Sequence, residues 1–212
     1  MTEISGAVSF PGWIEANKHL LEPPVGNKQM FPTGADFITM VVGGPNQRTD
    51  FHVDPYEEFF YQVKGNMHVN LMTDDGPARV DVREGEMWVL PRNVPHSPQR
   101  PEPGSIGLVI ERVREEGTRE KFRWYCGNCG AVVHEVELQV RDIVTDLPPL
   151  FTAFYESDEA RTCGNCGALH PGKGSEAEST GEAVARAARS KAARAGSTAT
   201  VRRDDVTDPR TL

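Results

Sequence analysis

From Ala35 to Arg114 the chain reads as short strands cut by turns, and this pattern most narrows what it can fold into. Six runs are rich in Val, Ile and aromatic residues: FITMVV from Phe37, EFFYQV from Glu58, MHVNLM from Met67, ARVDV from Ala78, MWVL from Met87 and IGLVI from Ile106. Between them lie turn formers, GGPN from Gly43, KGN from Lys64, DDGP from Asp74 and PEPG from Pro101. Runs this short and closely spaced predict an all-β fold, an antiparallel sandwich or small barrel. Helical patterns are too scarce for alternating strands and helices. PGWIEANKHLL from Pro11 is a short predicted helix, and PPVGN from Pro23 a loop.

After Glu115 the character changes. FRWYCGNCG from Phe122 and CGNCGALH from Cys163 are near-repeats that hold all four cysteines, with 33 residues between Cys129 and Cys163. Between them come an alternating strand, VVHEVELQV from Val132, and an aromatic, proline-containing stretch, DLPPLFTAFY from Asp146. A disulfide scaffold scatters its cysteines more, whereas Cys126, Cys129, Cys163 and Cys166 form two matched knuckles that suit one tetrahedral metal. Thiolate donors alone do not separate Zn2+ from iron. Beyond Pro171 the chain is largely Ala, Ser, Gly, Thr and charged residues, so residues 173–212 are expected to be a disordered tail. The expected division is a barrel at 1–115, an extension with the cysteine site at 116–172, and that tail.

Composition narrows the partners. The net charge of −8 argues against a general nucleic-acid binder, and no 18-residue apolar run spans a membrane. MTEISG lacks a basic stretch followed by an apolar core, so no secretory signal is expected and the cytoplasm is the expected location.

Two segments carry the chemistry. His52-x-Asp54-x3-Glu58-x6-Gly65 and Gly85-Glu86-x4-Pro91-x-Asn93-x2-His96 resemble the two motifs of a cupin. That implies a jelly-roll barrel, or double-stranded β-helix, whose inward side chains hold one metal. The common cupin has a second histidine where this chain has Asp54, which leaves His52, Glu58 and His96 as ligands, with Asp54 either a distant ligand or the partner of an imidazole N–H. Glu57 is the rival to Glu58, and the spacing to Gly65 favours Glu58. Two imidazoles and a carboxylate are the ligands of oxygen-activating non-haem Fe(II), with open positions left for substrate and O2. Arg48, Arg100 and Glu111 flank the triad and are either solvated rim or substrate clamps, because a buried charge needs a partner. An arginine fork suits a carboxylate. His68 has no partner at ligand spacing, and His19 reads as a surface residue. His134 and His170 read the same way, or as outer partners of the knuckles.

A closer resemblance covers about residues 10–172. GGPNQRTDFH ending at His52, EEFFYQ from Glu57, LPRNVPHSPQRP from Leu90, VIER from Val109, WYCGNCG from Trp124 and VTDLPPLF from Val144 are similar to the bacterial 3-hydroxyanthranilate 3,4-dioxygenases. The resemblance implies Fe(II) at the triad and a second, rubredoxin-like iron at the cysteines as a structural staple, with 3-hydroxyanthranilate and O2 as substrates. It also implies a homodimer in kynurenine breakdown and NAD biosynthesis. By position it implies that Arg100 and Glu111 meet the carboxylate and amino side of the substrate. Arg48 would lie over the oxygen, and Glu58 would also take the phenolic proton. Asn27 and Ile143 are implied to be loop residues near the site. The competing readings are a cupin dioxygenase or isomerase for another acidic metabolite, and a non-catalytic cupin with a protein-binding knuckle module.

Overall fold

A computed structural model describes residues 6–23, 26–32, 35–46 and 48–173. The expected disordered tail lies outside the described residues apart from Lys173. One short helix opens the described chain, α1 (Phe10–Asn17), continued by a 3-10 turn at Lys18–Leu20. Then come β1 (Asn27–Gln29), β2 (Phe37–Gly43), β3 (Phe51–Val53), β4 (Glu58–Lys64), β5 (Met67–Thr73) and β6 (Gly76–Val82). They are followed by β7 (Met87–Leu90), β8 (His96–Gln99), β9 (Ile106–Arg112), β10 (Glu120–Tyr125) and β11 (Val132–Leu138). Two helices close it, α2 (Ile143–Glu156) and α3 (Asp158–Arg161).

The strands form two antiparallel sheets, ordered β1-β2-β9-β4-β7 and β11-β10-β3-β8-β5-β6. This is the expected all-β jelly roll, a cupin barrel with a four-cysteine cluster beyond it. All six predicted strands of the barrel form, as does the strand at Val132. Side-chain alternation puts Phe60, Met67, Val69, Leu71, Val82, Leu90 and Val109 into one core between the sheets.

Register decides what else faces inward. β9 lies between β2 and β4, so inward residues fall into rows across three strands. One row is Val42, Gly107 and Gln62, the next Met40, Val109 and Phe60, and the third Ile38, Glu111 and Glu58. Successive rows are about 7 Å apart along the strands. Polar residues therefore stand at both ends of an apolar floor. Gly65 turns the chain out of β4 with φ of 68°, and a Cβ there would sit 2.9 Å from the Ser105 Cβ, so the site needs glycine.

Motif two is folded back on motif one by Asn93, which takes φ of 62° and donates its backbone N–H to the Asp54 carbonyl at 2.7 Å. Asparagine tolerates that left-handed conformation better than most side chains. β8 carries Pro98 inside a strand. Its pairing with β3 is limited to His52 opposite His96, so Pro98 lacks a β3 partner to disappoint.

The segment from Asp146 forms a helix despite Pro148 and Pro149. Asp142 starts it by accepting the Thr145 N–H at 3.2 Å, and both prolines fall in its second turn. Leu147, Leu150, Phe151, Phe154 and Tyr155 repeat at helical spacing and pack on Phe122 and Trp124, with Phe154 stacked on Trp124 at 4.2 Å. Burial of that aromatic face outweighs the proline penalty. Asn27 and Ile143, expected in loops, instead begin β1 and α2.

Candidate active site and second metal centre

The triad is built from three strands. His52 is central in β3, Glu58 opens β4 and His96 opens β8, and all three are at least nine-tenths buried. One donor atom from each lies within 4.8 Å of the other two. His96 Nδ1 faces the Val94 carbonyl at 3.0 Å, an N–H···O contact that leaves Nε2 with its lone pair toward Glu58 Oε1 at 2.8 Å. That approach is not aligned as a hydrogen bond, and Glu58 Oε1 is a buried oxygen without a hydrogen-bond partner. His52 Nδ1 lies 3.5 Å from the same oxygen. Two imidazole nitrogens gathered on one orphaned carboxylate oxygen suit a divalent cation.

Charge says the same. Burial works against the charged form of His52, yet Glu120 and Glu58 outweigh it and raise its pKa to about 10. Burial also opposes ionisation of Glu58, and His96 and His52 together hold its carboxyl well below the usual range. Burial and the charge on Glu58 push Glu111, directly opposite in the register, up to about 7 against the pull of Arg114. The carboxylates around the triad thus favour positive charge at His52 and beside it.

Asp54 takes no part in that donor set. Its Oδ1 accepts the Tyr56 N–H at 2.7 Å and its Oδ2 faces Arg114 at 3.6 Å. Glu57 points outward to Arg92, whose Nη2 donates to it at 2.6 Å.

Arg100 has the parity of His96 and lies inside. It is 2% exposed, and neither Nε nor Nη2 has a hydrogen-bond partner. Burial and the nearby charge of Arg48 lower its pKa to about 10, so it remains a cation at neutral pH. Room for it comes from Gly107, where a Cβ would stand 2.6 Å from Arg100 Nη2. An unpaired buried guanidinium is costly, and a bound anion would relieve that cost. Arg48 differs, because it is a third exposed and its Nη2 donates to Asp50 Oδ2 at 2.6 Å.

Sequence reasoning passed over Glu120 and Arg114. Glu120 Oε2 meets His52 Nε2 at 2.7 Å, while Arg114 binds Glu120 and reaches Glu111 Oε2 at 3.0 Å. The only signal was their acidic and basic character near the end of a strand, which many surface residues share.

The four cysteines converge at the far end of β10 and after α3. Cys126 and Cys166 sulfurs lie 3.6 Å apart and those of Cys129 and Cys163 3.7 Å apart. A disulfide would need about 2.05 Å. A tetrahedral metal with bonds of about 2.3 Å spaces its sulfurs by about 3.8 Å, so the arrangement fits one ion. Asn128 donates to Cys166 Sγ at 3.5 Å and Asn165 to Cys129 Sγ at 3.4 Å, each asparagine serving the opposite knuckle. The repeated CGNCG was the signal for that pair.

The neighbouring histidines pack on aromatic rings and are not partners of the sulfurs. His134 packs against Trp124 and Phe154, and His170 against Phe154. His170 is 2% exposed, and burial, aided by Arg161, lowers its pKa to about 4. An unfolded histidine takes up its proton near pH 6.5, so the linked stability is intact above that pH and is lost as pH falls from there to about 4. The loss is at most about 3 kcal/mol. Urea titrations at several pH values are expected to show this slope, and His170→Gln to flatten it. An unchanged slope in that variant would rule the assignment out.

Residues 2–155 match the family described as 3-HAO, 3-hydroxyanthranilic acid dioxygenase. The chain belongs to this family. A protein of Burkholderia cenocepacia named 3-hydroxyanthranilate 3,4-dioxygenase is 59% identical over 165 residues, covering 78% of this chain and 93% of that one. One of the same name from Jannaschia sp. is 54% identical over 167 residues, covering 79% of this chain and 92% of its own. Within this family's barrel the triad, Arg100 and Glu111 share one interior.

Proposed function

We propose that the protein opens the ring of 3-hydroxyanthranilate with O2 to give 2-amino-3-carboxymuconate semialdehyde, which closes to quinolinate without the enzyme. The observation that carries the reading is the buried triad of donors, His52, Glu58 and His96, in a chain 59% identical to a protein of that name. Fe(II), when bound by these three, supplies open positions where the two substrates meet and a route for electrons between them.

The protein's own groups then bind and orient. Arg100 receives the carboxylate and gains the counter-charge it lacks. The apolar row of Met40, Val109 and Phe60 takes the ring and keeps water from it. Glu111, with a pKa of about 7, faces the amino side and can hold or release a proton at neutral pH. Glu58 takes the phenolic proton, and Arg48 covers the oxygen side. Held together, the reactants no longer need to find each other in solution.

The test is to load the protein with Fe(II) without air, add 3-hydroxyanthranilate and air, and follow the absorbance of the semialdehyde. Product at a rate proportional to iron content is expected. Full iron loading with no product would favour another acidic metabolite in the same barrel, and oxygen uptake with a panel of such acids would find it.

The same reading makes residues 116–172 an extension of a barrel of residues 1–115, joined to it where β10 pairs with β3 and closed on itself by a metal, Fe or Zn, at the four cysteines, with a homodimer in the cytoplasm as the working form. The role in kynurenine breakdown and NAD biosynthesis follows from the proposed product. At described residues no helix is long and apolar enough to cross a membrane. Cys163→Ser is expected to lose the second metal and lower Tm by several degrees, while the folded protein keeps most of its turnover. Complete loss of turnover in folded, Fe(II)-loaded Cys163→Ser would contradict a purely structural role.

A further inference from the structure

We infer that Glu120, held in place by Arg114, is a positioning residue for the metal ligand His52. The inference rests on the reading of the triad as the iron site.

β10 pairs with β3 so that Phe122 lies opposite His52, and Glu120 is the next inward residue of the same strand. The two clamp the imidazole. Phe122 stacks on its face at 4.9 Å with planes 11° apart, and Glu120 Oε2 meets its Nε2 at 2.7 Å. A carboxylate on one ring nitrogen fixes the proton there and turns the other lone pair toward the site, here Nδ1 toward Glu58. It also makes the imidazole a stronger donor.

Glu120 is itself fixed. It is 1% exposed, and Arg114 donates through Nε to Oε1 and through Nη2 to Oε2 at 3.2 Å. Arg114 Nη2 also faces Glu111 at 3.0 Å. One guanidinium thus ties the carboxylate behind the metal ligand to the carboxylate across from Glu58. His52, Asp54 and Glu120 also lie close enough to form a donor set of their own. Arg114 already occupies both of its carboxylates, so this set serves as a support and not as a second cation site.

The experiment measures Fe(II) affinity by competition with a chelator, together with the visible absorption of the Co(II)-loaded protein, in the parent, Glu120→Gln and Arg114→Lys. In Glu120→Gln, Fe(II) binding is expected to weaken about 10–100-fold and the Co(II) spectrum to change, with metal at the four cysteines unaltered. Arg114→Lys keeps the charge but loses the fork, and a smaller change in the same direction is expected; it decides the matter if Glu120→Gln does not fold. A structural role alone would lower Tm and leave affinity and spectrum as they were, and that result in a folded variant would overturn the inference. The parent binding no Fe(II) that His96→Ala removes would instead count against the triad as the iron site.

Discussion

His96→Ala is expected to abolish ring cleavage while leaving the barrel folded. The imidazole is 1% exposed and is aimed by the Val94 carbonyl, so no solvent ligand can take its place in the same geometry. Changing a hydrogen-bond partner one step outside a metal already costs about 10–100-fold, and removing a ligand nitrogen should exceed that. The loss should appear in iron content as well as rate. Near-UV circular dichroism and metal at the four cysteines would show that the fold survives. A folded variant with turnover within tenfold of the parent would mean that the metal sits elsewhere.

Arg100→Met is expected to have two effects of opposite sign. The parent buries a guanidinium whose Nε and Nη2 have no hydrogen-bond partner and whose charge is opposed by that of Arg48. Replacing it with an apolar chain of similar length removes an uncompensated charge, so Tm of the substrate-free protein should hold or rise. Binding of an aromatic acid should weaken by about 2–5 kcal/mol, seen as a large increase in KM for 3-hydroxyanthranilate. An analogue lacking the carboxylate should bind parent and variant alike. An unchanged KM in the variant would place the substrate's carboxylate on another group.

The barrel was legible because its main strands are short apolar runs between turn formers. β1, β3 and β8 escaped for a physical reason. They have three or four residues each, and β3 and β8 bury His52 and His96, which hydrophobic patterning counts as surface residues. Helix α2 escaped because Pro148 and Pro149 argue against a helix locally, and only its contacts with Phe122 and Trp124 repay them.

The candidate site divides in the same way. His52, Glu58 and His96 lie in two local motifs, and the resemblance of those motifs to a cupin's singled them out. Glu120 reaches His52 across 68 residues, and no local pattern marks such a pair. Arg48 and Arg100 look alike in sequence. One is paired with Asp50 and the other is not, a distinction made by register and by the missing side chain at Gly107. Asp54, the departure from the common cupin, lies against Arg114 and the Tyr56 amide, outside the triad.

The central claim is that this interior adds O2 across a ring bond of 3-hydroxyanthranilate. Mass spectrometry of quinolinate formed by the Fe(II)-loaded protein under isotopically labelled O2 tests it most directly. Cleavage puts one labelled oxygen in the new carboxylate and one in the aldehyde, and ring closure expels the aldehyde oxygen as water. Quinolinate carrying a single labelled oxygen is the expected result, absent in His96→Ala. Unlabelled quinolinate, or none from fully iron-loaded protein, would contradict the account.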